Sequence, residues 1–402
     1  MPFCSWLIFL IGLMITAKGF QVLLAAALVG CVLASVHHAE TIAHRVGEPF
    51  GTLVLAIAVT VIEVALIVSL MIAGGGKDSG LARDTVFAAV MIILTGMIGG
   101  AILMGSYKYR EQSFGVAGVS STLIVLISIS VLTLILPNYT LTTPGPAYSE
   151  SQLVFVAIVT LLLYGTFIFV QNFKHKIDFL DDGGGAPEVG RGEGAAGGEE
   201  VDHAAHPTNA QAAGSLALLL VCLCAVVLIA KKLSPSLESG VSAMGAPKSL
   251  VGVIIALIVL LPEGLAAFKA ARANKLQKAL NLSLGSALAS IGLTIPAVAV
   301  VSLLTGLPLS LGIDAKSTVL FLLSLLVMAF SLSTGRTTVL QGVVLLILFA
   351  VYLFTTIVPY AGPTGRQRSV GWGALTVRRE RSDGKKPPVI RRPDGKREKA
   401  RT

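Results

Sequence analysis

Apolar residues in this chain come in long blocks, without strand-like alternation and without the narrow stripe of a soluble amphipathic helix. A helix needs about twenty apolar residues to cross a hydrocarbon core. Eleven blocks approach that length, centred on residues 3–16, 20–37, 50–73, 86–106, 119–136, 151–172, 213–230, 249–268, 281–304, 317–332 and 338–359. The first is short. No basic stretch precedes it and no small-residue cleavage site follows, so it reads as a short span and not as a cleaved signal. The pattern breaks over 173–212, where DDGGGAPEVGRGEGAAGGEEVDHAAHPTNA is glycine-rich and acidic and predicts a flexible linker. It ends after Tyr360, where RRERSDGKKPPVIRRPDGKREKART has almost no apolar periodicity and predicts a disordered basic tail.

These breaks divide the chain into an extra N-terminal helix (1–19), five spans (20–172), the linker (173–212), five further spans (213–360) and the tail (361–402). An odd number of crossings makes the second set of five enter from the opposite side. The expected fold is therefore an all-α polytopic membrane protein with two inverted five-helix repeats, an arrangement found in secondary transporters.

Composition agrees, with 54% hydrophobic and 13% charged residues and a mean hydropathy of +0.82. Soluble domains carry about 25% charged residues. The formal charge of +9 resides in the tail, whose 13 Lys/Arg face four acidic residues, so the first 360 residues are formally neutral. That tail reads as a solvated appendage, with no nucleic-acid partner expected. The connections after even-numbered spans hold eleven Lys/Arg and the odd-numbered ones seven, which places the linker in the cytoplasm. Arg366, Arg368, Arg378 and Arg379 pull the other way. Cys4, Cys31, Cys222 and Cys224 lie in apolar stretches without zinc-ligand spacing and read as packing residues.

Two carboxylates interrupt the apolar blocks. Glu63 lies mid-way along TLVLAIAVTVIEVALIVSL and Glu263 along SLVGVIIALIVLLPEGLAAF, each in the second span of its set. An ionised group at mid-bilayer depth costs about 2.5–3.5 kcal/mol on the insertion scale, so two in matching places point to a site. Two nearby carboxylates resist joint ionisation, and a bound cation reverses that preference. Cation and protons then compete for one site.

Calcium takes six to eight oxygens, more than two glutamates supply. Pro262 frees the carbonyl of Ile258, and Pro296 that of Gly292. In the ninth span Asn281, Ser286 and Ser290 add side-chain oxygens; Thr95 and Gly96 hold the corresponding place in the fourth, and Thr60 lies one turn before Glu63. Glu48, at the mouth of the third span, is a candidate for ion entry, and Glu40 a solvated interfacial charge. His37-His38-Ala-Glu40 is not HExxH, and the linker acids with His203 and His206 lack the spacing of a calcium loop. No phosphate loop, nucleophile elbow or Rossmann glycine pattern is present, so neither an enzyme nor a nucleotide-driven pump is expected.

GEPFGTLVLAIAVTVIEVALI and LLPEGLAAFKAARANKLQKALNLSLGSALASIGLTIP, with the acidic linker between them, resemble the bacterial calcium/proton antiporters of the cation/calcium exchanger superfamily. The resemblance covers roughly residues 40–360. It implies exchange of Ca2+, with Na+ or K+ as further cations, for H+ across the inner membrane, and no cofactor beyond the transported ions. By motif position it also implies Glu63 and Glu263 as the exchanging carboxylates. Val59-Thr60 and Val259-Leu260 stand where fungal and plant relatives carry Gly-Asn. The alternatives are a monovalent Na+/H+ or K+/H+ antiporter and, in another class, a membrane scaffold or sensor with structural glutamates. The sequence sets no oligomeric state.

Overall fold

The structure is a computed structural model that describes residues 18–47, 50–73, 80–174, 207–243, 245–247 and 249–358. The expected first span, Glu48, most of the linker and the tail lie outside these residues. Ten long helices remain. The first five are α1 (Lys18–Val46), α2 (Phe50–Ala73), α3 (Leu81–Tyr109), α4 (Val116–Tyr139) and α5 (Glu150–Phe169). The second five are α6 (Asn209–Ala243), α7 (Ser249–Arg272), α8 (Leu276–Thr305), α9 (Ala315–Leu332) and α10 (Val339–Ile357). Nine of them are long and apolar enough to cross a bilayer, and α2 has 24 residues. The chain is an all-α polytopic membrane protein.

Several helices outrun the apolar blocks that announce them. The second block ends at 37, yet α1 continues through His37, His38 and Glu40 to Val46. At the far side of a core, polar residues continue a helix at little cost because water satisfies them. Helix starts are set by local chemistry. Ser149, Thr208 and Thr338 each have glutamine three residues on, and each backbone N–H donates to that glutamine's Oε1, at 3.0, 2.8 and 2.7 Å. Gly306 ends α8 at φ 68°, a left-handed cap that favours glycine.

Polar contacts at the helix ends define two faces. On the linker face Arg45 donates to Asn209 Oδ1 (2.8 Å from Nε), Tyr109 Oη to the Arg272 carbonyl (3.0 Å), and Gln112 Nε2 to Asn274 Oδ1 (2.9 Å). There the short strands β1 (Gln112–Ser113) and β2 (Arg336–Thr337) pair antiparallel, Gln112 opposite Thr337. On the distal face Asn138 Nδ2 donates to the Ile313 carbonyl (2.7 Å), Arg83 Nη1 to Gly312 (3.0 Å) and Lys316 Nζ to Thr355 (2.8 Å). Tyr148 Oη donates to the Leu132 carbonyl at 2.6 Å, and burial pushes its pKa up to about 12, so it stays a donor. Between these faces α1 runs toward the linker face and α6 away from it.

The two sets interlock. α3 packs on α7 and α10, while α8 packs on α2 and α5, so each third helix touches the second and fifth of the other set. Small residues permit the approach: a Cβ on Gly342 would lie 2.7 Å from Leu103 N, and one on Gly292 3.1 Å from the Tyr164 ring. α1 lies along α6 outside this core.

The helices stay continuous at Pro262 and Pro296, where the sequence suggests broken turns. Proline removes one hydrogen bond, but its φ fits a helix. The irregular turns fall elsewhere, as π turns at Ile92–Met97, Val131–Ile135 and Val170–Lys174. The first lies at the middle of α3, where the Phe349 ring of α10 comes within 3.4 Å of a Cβ built on Gly96.

Candidate ion-binding site

Glu63 and Glu263 meet the interior near the middle of α2 and α7. Both are buried, at 4% and 8% exposure, on helices that touch one another. α2 reaches α8 directly, and this contact provides the partners of Glu63. Ser290 Oγ lies 2.7 Å from Oε1 and 2.9 Å from Oε2, and Thr294 Oγ1 lies 3.3 Å from Oε2. Four residues apart on one helix, the two hydroxyls project from one face and donate to the same carboxylate.

Glu263 has no such cradle. Its Oε2 is buried and without a hydrogen-bond partner. α3 is the facing helix, and the Met97 sulfur would lie 3.9 Å from a Cβ on Gly264. The hydroxyl on this stretch of α3, Thr95 Oγ1, donates to Met91 O at 2.5 Å. A buried oxygen without a donor is costly unless it is protonated or a ligand reaches it.

Of the residues expected around the site, the structure brings Ser290 to Glu63 and leaves Thr95 and Gly96 on α3, which packs on α7, with Pro262 next to Glu263 on α7 itself. Gly292, between Ser290 and Thr294, packs against Tyr164. Thr60 is buried, but its hydroxyl donates to Ala56 O within α2 at 2.8 Å. Ser286 is half-buried one turn before Ser290. Asn281 is not brought to the carboxylates. It is nine residues from Ser290, about 13 Å along a helix, and accepts from Gln277 Nε2 at 2.9 Å near the linker face. Ile258 lines an apolar cleft between α1, α2, α6 and α7. Glu40 is exposed. Thr294 went unmarked in sequence, although its four-residue spacing from Ser290 is the available signal.

Among the described residues no three His, Cys, Asp or Glu side chains converge on a point. Any cation held here takes its oxygens from the carboxylate pair, the Ser290 and Thr294 hydroxyls and free carbonyls. Such a set suits hard, oxygen-seeking cations.

Among the described residues, ten long helices enclose two buried carboxylates. The chain belongs to the sodium/calcium exchanger protein family, whose model matches residues 16–173 and 214–358, within the cation/calcium exchanger superfamily. It is 45% identical over 369 residues to the putative ionic transporter y4hA of Sinorhizobium fredii, covering 89% of this chain and 97% of that one. It is 34% identical over 320 residues to the sodium-potassium/proton antiporter ChaA of Escherichia coli, covering 80% and 84%. The fold is shared with native YfkE, at a TM-score of 0.66 and 17% identity over 88% of this chain and 97% of that one. It is also shared with the H+/Ca2+ exchanger CAX, at 0.64 and 17% over 90% and 87%.

Proposed function

We propose that this protein is a secondary antiporter of the inner membrane that exchanges Ca2+, with Na+ and K+ as further cations, for H+. Its two sets of five helices act as inverted repeats that present one site alternately to the two faces. The observation that carries the reading is the carboxylate pair itself: two buried glutamates on touching helices, one held by two hydroxyls and the other keeping a buried oxygen free. Protonated, the pair is neutral and the empty site reorients cheaply. Deprotonated, it holds a cation whose charge stabilises both anions. Lower pH therefore raises the cation concentration needed for half-maximal exchange.

The basic residues of the linker face support a cytoplasmic placement of that face. Arg45, Lys108, Arg110, Lys174, Lys269, Arg272, Lys275, Lys278 and Arg336 lie there among the described residues, against Lys18, Arg83 and Lys316 at the distal ends and Lys231 and Lys232 in the distal half of α6. Everted vesicles with an imposed pH gradient test the function. Addition of Ca2+ is expected to dissipate the gradient at micromolar concentrations. A scaffold or sensor would leave it intact with every cation.

A monovalent antiporter is the second reading, favoured by the 34% identity to a protein named a sodium-potassium/proton antiporter. In the same vesicles it predicts dissipation by Na+ or K+ that Ca2+ neither replaces nor blocks.

A further inference from the structure

The third helices of the two sets, α3 and α8, present opposite chemistry to the two carboxylates. Thr95 stands fourteen residues beyond the first residue of α3, and Ser290 fourteen beyond that of α8, so they hold matching places. From this level α8 gives Glu63 two hydroxyl donors. The Thr95 hydroxyl gives Glu263 none, because it is bonded to Met91 O. What α3 has here instead is the π turn at Ile92–Met97.

A π turn alters which carbonyls are bonded. The Ile98 amide, which in an α-helix would bond to Leu94 O, reaches back five residues to Ile93 O. The Leu94 carbonyl is left without that donor. Helix carbonyls project along the axis toward the C-terminus, which brings this one to the level of Met97 and Ile98. There α3 meets α7. The π turn touches α7, and the Met97 sulfur would lie 3.9 Å from a Cβ on Gly264, the residue after Glu263. Glu263 Oε2 is buried at this contact and has no partner. α3 carries no charged side chain between Asp84 and Lys108, and α7 none between Ser249 and Lys269 besides Glu263. Neither helix therefore supplies a cation of its own here.

We propose that the Leu94 main-chain carbonyl is a ligand of the transported cation, shared with Glu263, and the acceptor for the proton that replaces it. With Glu263 ionised, Oε2 and the carbonyl are two hard oxygens with no donor between them, and a cation joins them. With Glu263 protonated, Oε2–H donates to the same carbonyl. The proton leaves to water when the next cation arrives. One carbonyl thus serves both partners of the exchange, and the Glu63 half, held by donors, has no need of one.

The inference rests on the antiport reading, and cation binding to the purified protein separates the two. Binding of Ca2+ and of Na+ is measured by calorimetry in detergent over a series of pH values. The probe is an amide-to-ester exchange at residue 95, which weakens the Leu94 carbonyl as an acceptor and keeps every side chain. Cation affinity at alkaline pH is expected to fall about fivefold. The pKa of proton competition, extrapolated to low cation, should move down, because the protonated form loses its acceptor as well. An ester at residue 93 weakens the Ile92 carbonyl of the same turn and should change the affinity by less than about twofold. Deletion of Gly96, which removes the extra residue and lets the turn close as α-helix, should reproduce the loss. Unchanged affinity with the ester at 95, an equal loss from the ester at 93, or a loss without movement of the pKa overturns the proposal. If the ester protein fails to assemble, the Gly96 deletion decides by the same measurements. A wild-type protein that binds neither cation would sink the antiport reading instead.

Discussion

Around Glu63, α8 supplies Ser290 and Thr294, one turn apart, and both hydroxyls donate to the carboxylate. Around Glu263, α3 supplies Thr95, whose hydroxyl is bonded to Met91 O. One turn on stands Gly99, where a Cβ would lie 2.9 Å from Leu345 of α10. The two carboxylates hold matching places in the two sets, yet one half-site is preorganised and the other is open. A fixed carboxylate loses little freedom when a cation arrives, and an open one has an oxygen to give it. On the proposed antiport reading, the asymmetry would give holding to the Glu63 half and capture to the Glu263 half.

Removing the clamp should have the largest effect. Ser290→Ala deletes the shorter hydrogen bonds to a buried carboxylate. Bonds to charged groups are worth about 1.5–3 kcal/mol, so cation affinity, read as half-saturation of exchange, should fall roughly tenfold or more. Thr294→Val removes a single 3.3 Å bond and should cost about threefold. Equal losses from the two would contradict the geometry.

A packing prediction comes next, on the α10 side of the open half. Gly342→Val brings a side chain into Leu103 N and Gly99 O, at 2.7 and 3.0 Å from the first added carbon. Overpacking of this kind costs about 1–3 kcal/mol, which thermal unfolding in detergent should register as a lower midpoint. Gly145→Ala makes a poor control, since that glycine has φ 90°; Gly165→Ala, with open space around it, is the better one.

The smallest effect is expected at Thr95. Its hydroxyl serves its own helix, so Thr95→Val should change cation affinity by less than about twofold. An effect as large as that of Ser290→Ala would show that Thr95 turns to the ion during transport and that the halves are alike.

What was legible in the sequence is the part that hydrophobicity dictates. Glu63 and Glu263 stand out because a charge in a twenty-residue apolar block is expensive, and Ser290 as one of several side-chain oxygens on a small-residue helix. Thr294 was harder to see, since a threonine in an apolar helix commonly bonds to its own backbone, as Thr60 and Thr95 do. Asn281 shows the converse error. It shares a helix with Ser290, but position along the axis takes it to the linker face, beside Gln277. The π turn at Ile92–Met97 holds no proline; Gly96 lies in it, and the Phe349 ring, 253 positions away in sequence, comes within 3.4 Å of a Cβ built there. Helix ends beyond the apolar blocks were hidden for a similar reason, because hydropathy reports the bilayer and not the hydrogen bonds that close a helix.

The direct test of the central claim is radiolabelled Ca2+ uptake driven by a pH gradient in everted vesicles carrying Glu63→Gln or Glu263→Gln. Both side chains remain isosteric and uncharged, so insertion should be preserved and can be checked by the amount of protein in the membrane. The account predicts that each variant alone abolishes uptake, because one shared site needs both carboxylates. Uptake at the wild-type rate by either variant would contradict it.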